Sequence, residues 1–472
     1  MGRKCGTRRR TVYGAASAIA LVLLLVACAA PPNPPGTLTR PEDPVVVTGS
    51  QVSPLLGATV GSIVAFHYDR AGWTQVPVQV DQRKTVELNT IYNKAPNTTN
   101  PVNALVYADP NTFAGGGSGV LESQDEISFM SVDASGAAPS FSEPANVVHN
   151  SGVKVTVTDQ QAGNAVSFVY LYRQTGGLDP SAGKHYVDYQ FRLTSGDYKT
   201  TYKLAAGPNP ETSSVTTPAY ERTFGDRWLD DGLSITTPGA SGVDILDRHK
   251  ALFAPGNCVR SEDTFDSAEG AFIANINGPV RAIRSYIGAN SGPYTERTQI
   301  YYAQREDIIT DLRVHAIPSV LDFFDYSPAA SGMTYTNDRN PGGVTIDGQP
   351  DTVAAGAPTW EKVSGSQGTL THVWQLTTNV APLSTTNYYY DNSTVPNPVV
   401  QCTGDAFAYG SSGTYINSGI ANTDPHNGAA SYLTATHTLF FESPGQTNES
   451  AQTHADQVRN AAQVSSAAWT GS

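Results

Sequence analysis

The sequence predicts an all-β protein: a large antiparallel β-sandwich with a smaller N-terminal β unit and a short C-terminal helix. Three observations carry this. Apolar residues recur with period two in segment after segment, as in Val153, Val155 and Val157 alternating with Lys154, Thr156 and Thr158. With 43 Gly and 31 Pro in 472 residues, turns are frequent. Helical spacing is confined to the C-terminal end, at Ala451, Ala455, Val458, Ala462 and Val464 after Asn448-Glu449-Ser450. A chain that is 39% hydrophobic and 15% charged has ample material for a core and is not a charge-rich disordered protein.

Taken in order, residues 1–27 read as an export signal. Arg3, Lys4, Arg8, Arg9 and Arg10 precede an apolar run from Ala15 to Ala27 that is too short to span a bilayer as a mature helix. The run closes on Leu25-Val26-Ala27-Cys28, which resembles the lipobox of bacterial lipoproteins. That resemblance implies cleavage just before Cys28, diacylation of its thiol, and an extracytoplasmic protein held to a bacterial membrane by lipid. Two acyl chains supply the double anchor that one chain cannot. Residues 28–50, with Pro31, Pro32, Pro34, Pro35, Pro41 and Pro44, read as an extended tether.

Loss of residues 1–27 removes five of the 29 basic groups and none of the 42 acidic ones, leaving a formal charge of −18. No Lys/Arg cluster remains to displace counterions from phosphates, which argues against a nucleic-acid partner. Cys258 and Cys402 are then the remaining cysteines, read as one disulfide in an oxidising compartment or as two separate thiols. Redox chemistry and cysteine-ligated zinc lack their motifs.

The folded part is expected from Gln51, with an N-terminal β unit over 51–148, a large sandwich over 149–445 and a helix or tail over 446–472. Val76, Val78 and Val80 alternate with polar residues. Val153–Val157 and Val166–Tyr172 form a hairpin across Gly163-Asn164. Val187–Leu193 and Tyr198–Leu204 read as strands about the Ser195-Gly196-Asp197 turn. Further strands are expected at 270–276, 280–287, 299–304, 311–317, 369–376 and 434–441.

Within 311–317, alternation puts Asp311, Arg313 and His315 on one face and Leu312, Val314 and Ala316 on the other. Such a row lines a cleft or forms a solvated outer face; histidine can move protons near neutral pH and arginine can clamp a carboxylate. Asn277-Gly278-Pro279-Val280-Arg281 enters a strand that also carries Arg284 on the opposite face. This Gly-Pro-Val-Arg step resembles strand openings in the supersandwich proteins related to galactose mutarotases and several polysaccharide lyases. The resemblance implies a concave sheet suited to carbohydrate and carries no catalytic set. Tyr388 and Tyr390 would share one face of the Tyr388-Tyr389-Tyr390 run and offer rings for sugar stacking, or for core filling.

No nucleophile elbow, zincin, P-loop or dinucleotide motif is present. The loops at Asp109-Pro110-Asn111 and Asp347–Asp351 do not match a calcium loop, and no metal or cofactor is expected. The reading is an exported, lipid-anchored envelope protein that binds a glycan or another envelope component without catalysis. The alternative is a carbohydrate-active enzyme, a lyase or hydrolase, acting through Arg281, Arg313 and His315, with Asp311, Arg284, Tyr388 and Tyr390 contacting the ligand.

Overall fold

The computed structural model describes residues 38–470 except 141, 205–208, 256–259, 291 and 396–406. Cys28, Cys258 and Cys402, and with them lipidation and disulfide, lie outside the described residues. Every strand pair described is antiparallel, and the architecture is all-β.

The centre is a nine-stranded sheet in the order Ala271–Asn277, Ala282–Ala289, Gly292–Tyr301, Arg305–Asp311, Leu433–Glu442, Gly368–Thr378, Glu361–Gly365, Thr334–Asn337 and Asn340–Thr345. Its second strand, Ala282–Ala289, is buried at every position, because other layers cover both faces. On one face lie the four-stranded sheet Leu246–Phe253, Val320–Tyr326, Ala408–Ile416, Thr385–Asn392 and a second four-stranded sheet within Asp188–Ile235. Tyr220, Leu233, Ile235, Phe324 and Tyr326 from these meet Tyr301, Ile308, Leu370 and Phe441 of the large sheet in one apolar cluster. The opposite face receives the hairpin Arg83–Glu87 and Asn103–Tyr107, whose Val86 and Val106 pack with Ile283, Ile300 and Tyr302.

The N-terminal region forms its own sandwich. Three strands, Pro44–Thr48, Glu126–Met130 and Gln79–Asp81, pack through Val45, Val47, Ile127 and Phe129 onto Val153, Val155, Val157, Val169 and Leu171 of a five-stranded sheet. Each such valine contributes about 1.5–3 kcal/mol on burial. The expected hairpin is present, with Gly163 and Asn164 both at positive φ in its turn. Strands from both sides of residue 148 share the five-stranded sheet, where Ile63–Asp69 pairs with Ala165–Arg173. Pro44–Thr48, read as tether, is a strand, since Val45 and Val47 find an apolar face to cover.

Three other segments differ from expectation. Tyr198–Thr201 is a helical turn rather than a strand, with the Thr200 and Thr201 hydroxyls donating to the Asp197 carbonyl. The strand expected over 311–317 ends at Asp311, so Arg313 and His315 stand on a loop. The C-terminal helix is Asn448–Arg459, capped by Thr447 and packed through Ala451 and Ala455 on Val373 and Phe440, but residues Gln463–Trp469 return as a strand against Gly152–Asp159. There the alternation of Val464 with polar residues prevails over helical spacing. Among the described residues no helix is long and apolar enough to cross a membrane.

Candidate functional site

Alternation on two neighbouring strands builds the site. Glu296, Thr298 and Ile300 project from one face of Gly292–Tyr301, and the register sets Glu296 opposite Asp311 and Thr298 opposite Ile309. The hairpin contributes Arg83, Leu105, Val106 and Tyr107, the three-stranded sheet contributes Glu126, and Arg281, Tyr302 and Arg313 complete a cleft of about 450 Å³.

Two ion-pair groups meet there. In the first, Arg281 donates from Nε to Asp81 (2.8 Å) and from Nη2 to Glu126 (2.7 Å), while Glu126 also accepts from Arg83 (2.8 Å) and from the Tyr107 hydroxyl (2.8 Å). Burial alone would raise the Glu126 carboxyl, but the Arg281 and Arg83 charges and the Tyr107 hydroxyl hold it below its ordinary range. In the second, Arg313 donates to Glu296 (3.1 Å) and to the Tyr294 carbonyl (2.9 Å), and lies 3.8 Å from Asp311. Burial pushes Glu296 up; Arg313 opposes the shift and Asp311 adds to it. The cleft thus holds one carboxyl kept ionised and one biased toward protonation. That division is the kind that serves acid–base work or charge recognition.

Gly278 explains how Arg281 arrives. A Cβ there would lie 2.1 Å from Gln79 Oε1, which accepts from the backbone N–H groups of Val280 (3.2 Å) and Arg281 (3.0 Å). The Gly-Pro-Val-Arg step therefore docks directly onto the strand Gln79–Asp81.

On the other face of the large sheet lies a second polar group, and it is enclosed. Asp322 accepts from His249 Nε2 (2.5 Å) and from Arg297 (2.5 Å), with His437 Nε2 at 3.6 Å. His437 Nδ1 and His372 Nε2 are 2.9 Å apart, their rings stacked, and His372 reaches Glu361 at 3.4 Å. Burial would raise Asp322, but Arg297 and the two histidines pull it well below the carboxylate range. Burial lowers His249 to about 3, so it is neutral. The remaining space beside Asp322, His437 and Trp374 is about 20 Å³, room for one water and no ligand.

The structure brings Arg281, Arg313 and Asp311 into the cleft and leaves His315 out: His315 is exposed and absent from the lining. Arg281 is itself 1% exposed and engaged with Asp81 and Glu126. Arg284, expected to contact ligand, is fully buried, with both terminal nitrogens on Glu211 and its guanidinium 4.4 Å from the Phe224 ring centre; the all-buried strand Ala282–Ala289 gives it no route to solvent. Tyr388 packs on Phe323 and Tyr390 donates to the Val395 carbonyl (2.6 Å), both on the edge strand Thr385–Asn392 away from the cleft lining. Asp109 and Asp347 each accept a backbone N–H two residues on, from Asn111 (2.8 Å) and Gln349 (2.9 Å), as turn-forming aspartates do. Glu126, Glu296, Arg83 and Tyr107 escaped the sequence reading as site residues. The strand carrying Glu296 begins at Gly292, and Thr295-Glu296-Arg297-Thr298-Gln299 has no apolar alternation to reveal it.

No protein-family model matches the sequence, and no curated protein matches it either. Solved structures with partial similarity include an aldose 1-epimerase-like protein of Escherichia coli K12 (9% identity, 54% of this chain and 99% of that one, TM-score 0.26). An alpha-mannosidase of Enterococcus faecalis V583 aligns over 91% of this chain and 45% of its own, with 9% identity and TM-score 0.41. The Slr1438 protein of Synechocystis sp. PCC 6803 aligns over 52% of this chain and all of its own, with 10% identity and TM-score 0.28. These similarities add nothing to the β architecture already described.

Proposed function

We propose that this is an exported, lipid-anchored envelope protein whose cleft binds a glycan. The observation that carries the reading is the cleft itself: about 450 Å³ lined by Arg83, Arg281, Arg313, Glu126, Glu296, Asp311, Tyr107 and Tyr302 with Ile300, Ile309 and Leu105 between them. Guanidinium and carboxylate groups match the paired hydroxyls of a sugar, whereas aliphatic and aromatic surfaces match its C–H face. The volume lies within the range of small-ligand sites. The lipobox-like Leu25-Val26-Ala27-Cys28 and the net acidic chain fit an envelope location and argue against a phosphate polymer. A lyase reading through Arg281 and His315 has less support, because Arg281 is spent on Asp81 and Glu126 and His315 lies outside the lining.

The test is calorimetric titration of the full-length protein in detergent with neutral and acidic oligosaccharides. A saturable ligand is expected, and Arg83→Ala should weaken it by about tenfold, the worth of one charge-assisted hydrogen bond. Absence of binding to every sugar, or an unchanged affinity in Arg83→Ala, would overturn the cleft assignment. Cys28→Ser should release the protein from the membrane fraction; retention there would remove the anchor.

A further inference from the structure

We infer that Glu296 and Asp311 form the acid and the nucleophile of a glycosidic-bond hydrolase seated in the cleft, an inference that rests on the glycan reading above. The two residues face each other across adjacent antiparallel strands. Directly opposed residues have Cβ atoms about 4.5–5.5 Å apart. Both side chains line the same cleft, beside the apolar Ile300 and Ile309 and the hydroxyl of Thr298. Both carboxyls reach the one Arg313 guanidinium, Glu296 at 3.1 Å and Asp311 at 3.8 Å, and a closely spaced pair, about 5–5.5 Å between carboxyls, is what double displacement with retention of anomeric configuration uses.

Their surroundings divide the roles. Glu296 is 9% exposed, and Arg313 holds only its Oε2 (3.1 Å); no hydrogen bond among the described residues claims Oε1. Burial together with the neighbouring Asp311 charge favours its protonated form, as an acid requires. The Asp311 side chain is 38% exposed and open to a substrate, while Thr434 Oγ1 donates to its Oδ1 (2.6 Å) and fixes its orientation. Arg313 spans both carboxyls and keeps charge balanced as the proton moves. Across the cleft, Glu126 stays ionised within its Arg83–Arg281 pairing, and the buried Nε of Arg83 has no hydrogen-bond partner among the described residues. Arg83 and Glu126 bind and orient the sugar and do not react, and Arg281 holds Glu126 in place.

The chemistry closes with water as the one co-reactant. In the first step the Glu296 proton passes to the glycosidic oxygen and the C1–O bond breaks with its electron pair leaving on that oxygen. An Asp311 carboxylate oxygen forms the new bond to C1. In the second step water adds to C1, its proton returns to Glu296, and the C1–Asp311 ester bond breaks with its pair returning to the carboxylate. The products are a free reducing end and an alcohol.

The experiment takes the full-length protein in detergent with whichever oligosaccharides bind by calorimetry, and follows reducing ends and the anomeric proton signals of the product. Wild type should bind and cleave with retention. Glu296→Gln should bind and lose about 10²–10⁴-fold in kcat on oligosaccharide. It should lose far less on an aryl glycoside whose leaving group needs no proton, and it should lack the alkaline limb of the pH profile. Asp311→Asn should bind and be inactive on both, and azide should restore turnover to Asp311→Ala with inverted product. If Glu296→Gln fails to melt cooperatively, Glu296→Asp, which keeps the acid, takes its place and should retain partial activity. Wild type that binds without releasing reducing ends overturns this inference and leaves the glycan reading intact. Wild type that binds no sugar overturns the glycan reading itself, and full activity in Asp311→Asn overturns the assigned pair.

Discussion

Glu296 and Arg297 are neighbours on one strand, yet they belong to two different kinds of polar assembly. Glu296 faces the cleft, where carboxyls and arginines are matched incompletely and some of their atoms are left to solvent or to a ligand. Arg297 faces the covered side, where Asp322 accepts from both Arg297 and His249, His437 Nε2 stands 3.6 Å away, and the cavity beside them is about 20 Å³. The residue types are almost the same; the cover makes the difference. Under a second sheet, each charge must be compensated inside the protein, because its hydration has been lost and an unpaired ion there costs several kcal/mol. Beneath a short hairpin, compensation is partial, and the remainder is available for recognition. A list of charged residues therefore cannot locate a site until the layers above each face are known.

The comparison can be broken most forcefully at Asp322. Asp322→Ala leaves Arg297 buried without its partner, and the loss should be about 3–5 kcal/mol, read from urea unfolding of the Cys28→Ser protein. A loss under about 1 kcal/mol would mean that water reaches this layer, and the contrast with the cleft would vanish.

A smaller effect comes from His249. Buried and lowered to about 3, it stays neutral in the folded protein, while in the unfolded chain it titrates near 6.5. Between these values the unfolded chain takes up a proton that the folded protein refuses, so stability falls as pH drops through this window, by up to about 1.4 kcal/mol per pH unit for this group. Glu306, pushed up to about 8 by burial against the pull of Arg222, works in the opposite sense: its contribution is lost as pH rises toward 8. The pH dependence of His249→Asn minus that of wild type isolates the histidine. The acid limb between pH 6 and 4 should become shallower by about one proton, and an unchanged slope would show that His249 is charged or solvated.

How much of this was legible in the sequence follows the same division. The strands with one wet face were visible, because Val153, Val155 and Val157 advertise the period, and the hairpin followed from Gly163-Asn164. The C-terminal helix was legible through Ala451 and Ala455, and the strand Gly368–Thr378 appeared as the strand expected over 369–376. The strand Gly292–Tyr301 was mostly hidden, since Thr295-Glu296-Arg297-Thr298-Gln299 puts polar residues on both of its faces and has no apolar alternation to display. Half of the site was found through Arg281, Asp311 and Arg313, while Glu296 and Glu126 were missed with the strands that carry them. Arg284 shows the converse error: the sequence gives its charge but not Glu211, which arrives from 73 residues away to neutralise it.

The gentlest test lies at Arg313, the cleft counterpart of Arg297. Its side chain is 20% exposed and its pairs with Glu296 and Asp311 border solvent, so Arg313→Ala should cost less than about 1 kcal/mol in the same urea experiment. Its consequence should appear in ligand binding. Arg313 is the charge that pulls Glu296 down against burial; without it the Glu296 carboxyl rises further and holds its proton to higher pH. The pH at which sugar affinity changes should therefore move upward in Arg313→Ala, while the unfolding curve scarcely shifts. A loss of stability as large as that of Asp322→Ala would place Arg313 in an enclosed layer like that of Arg297, and would take from the cleft the partial compensation on which its assignment as a binding site depends.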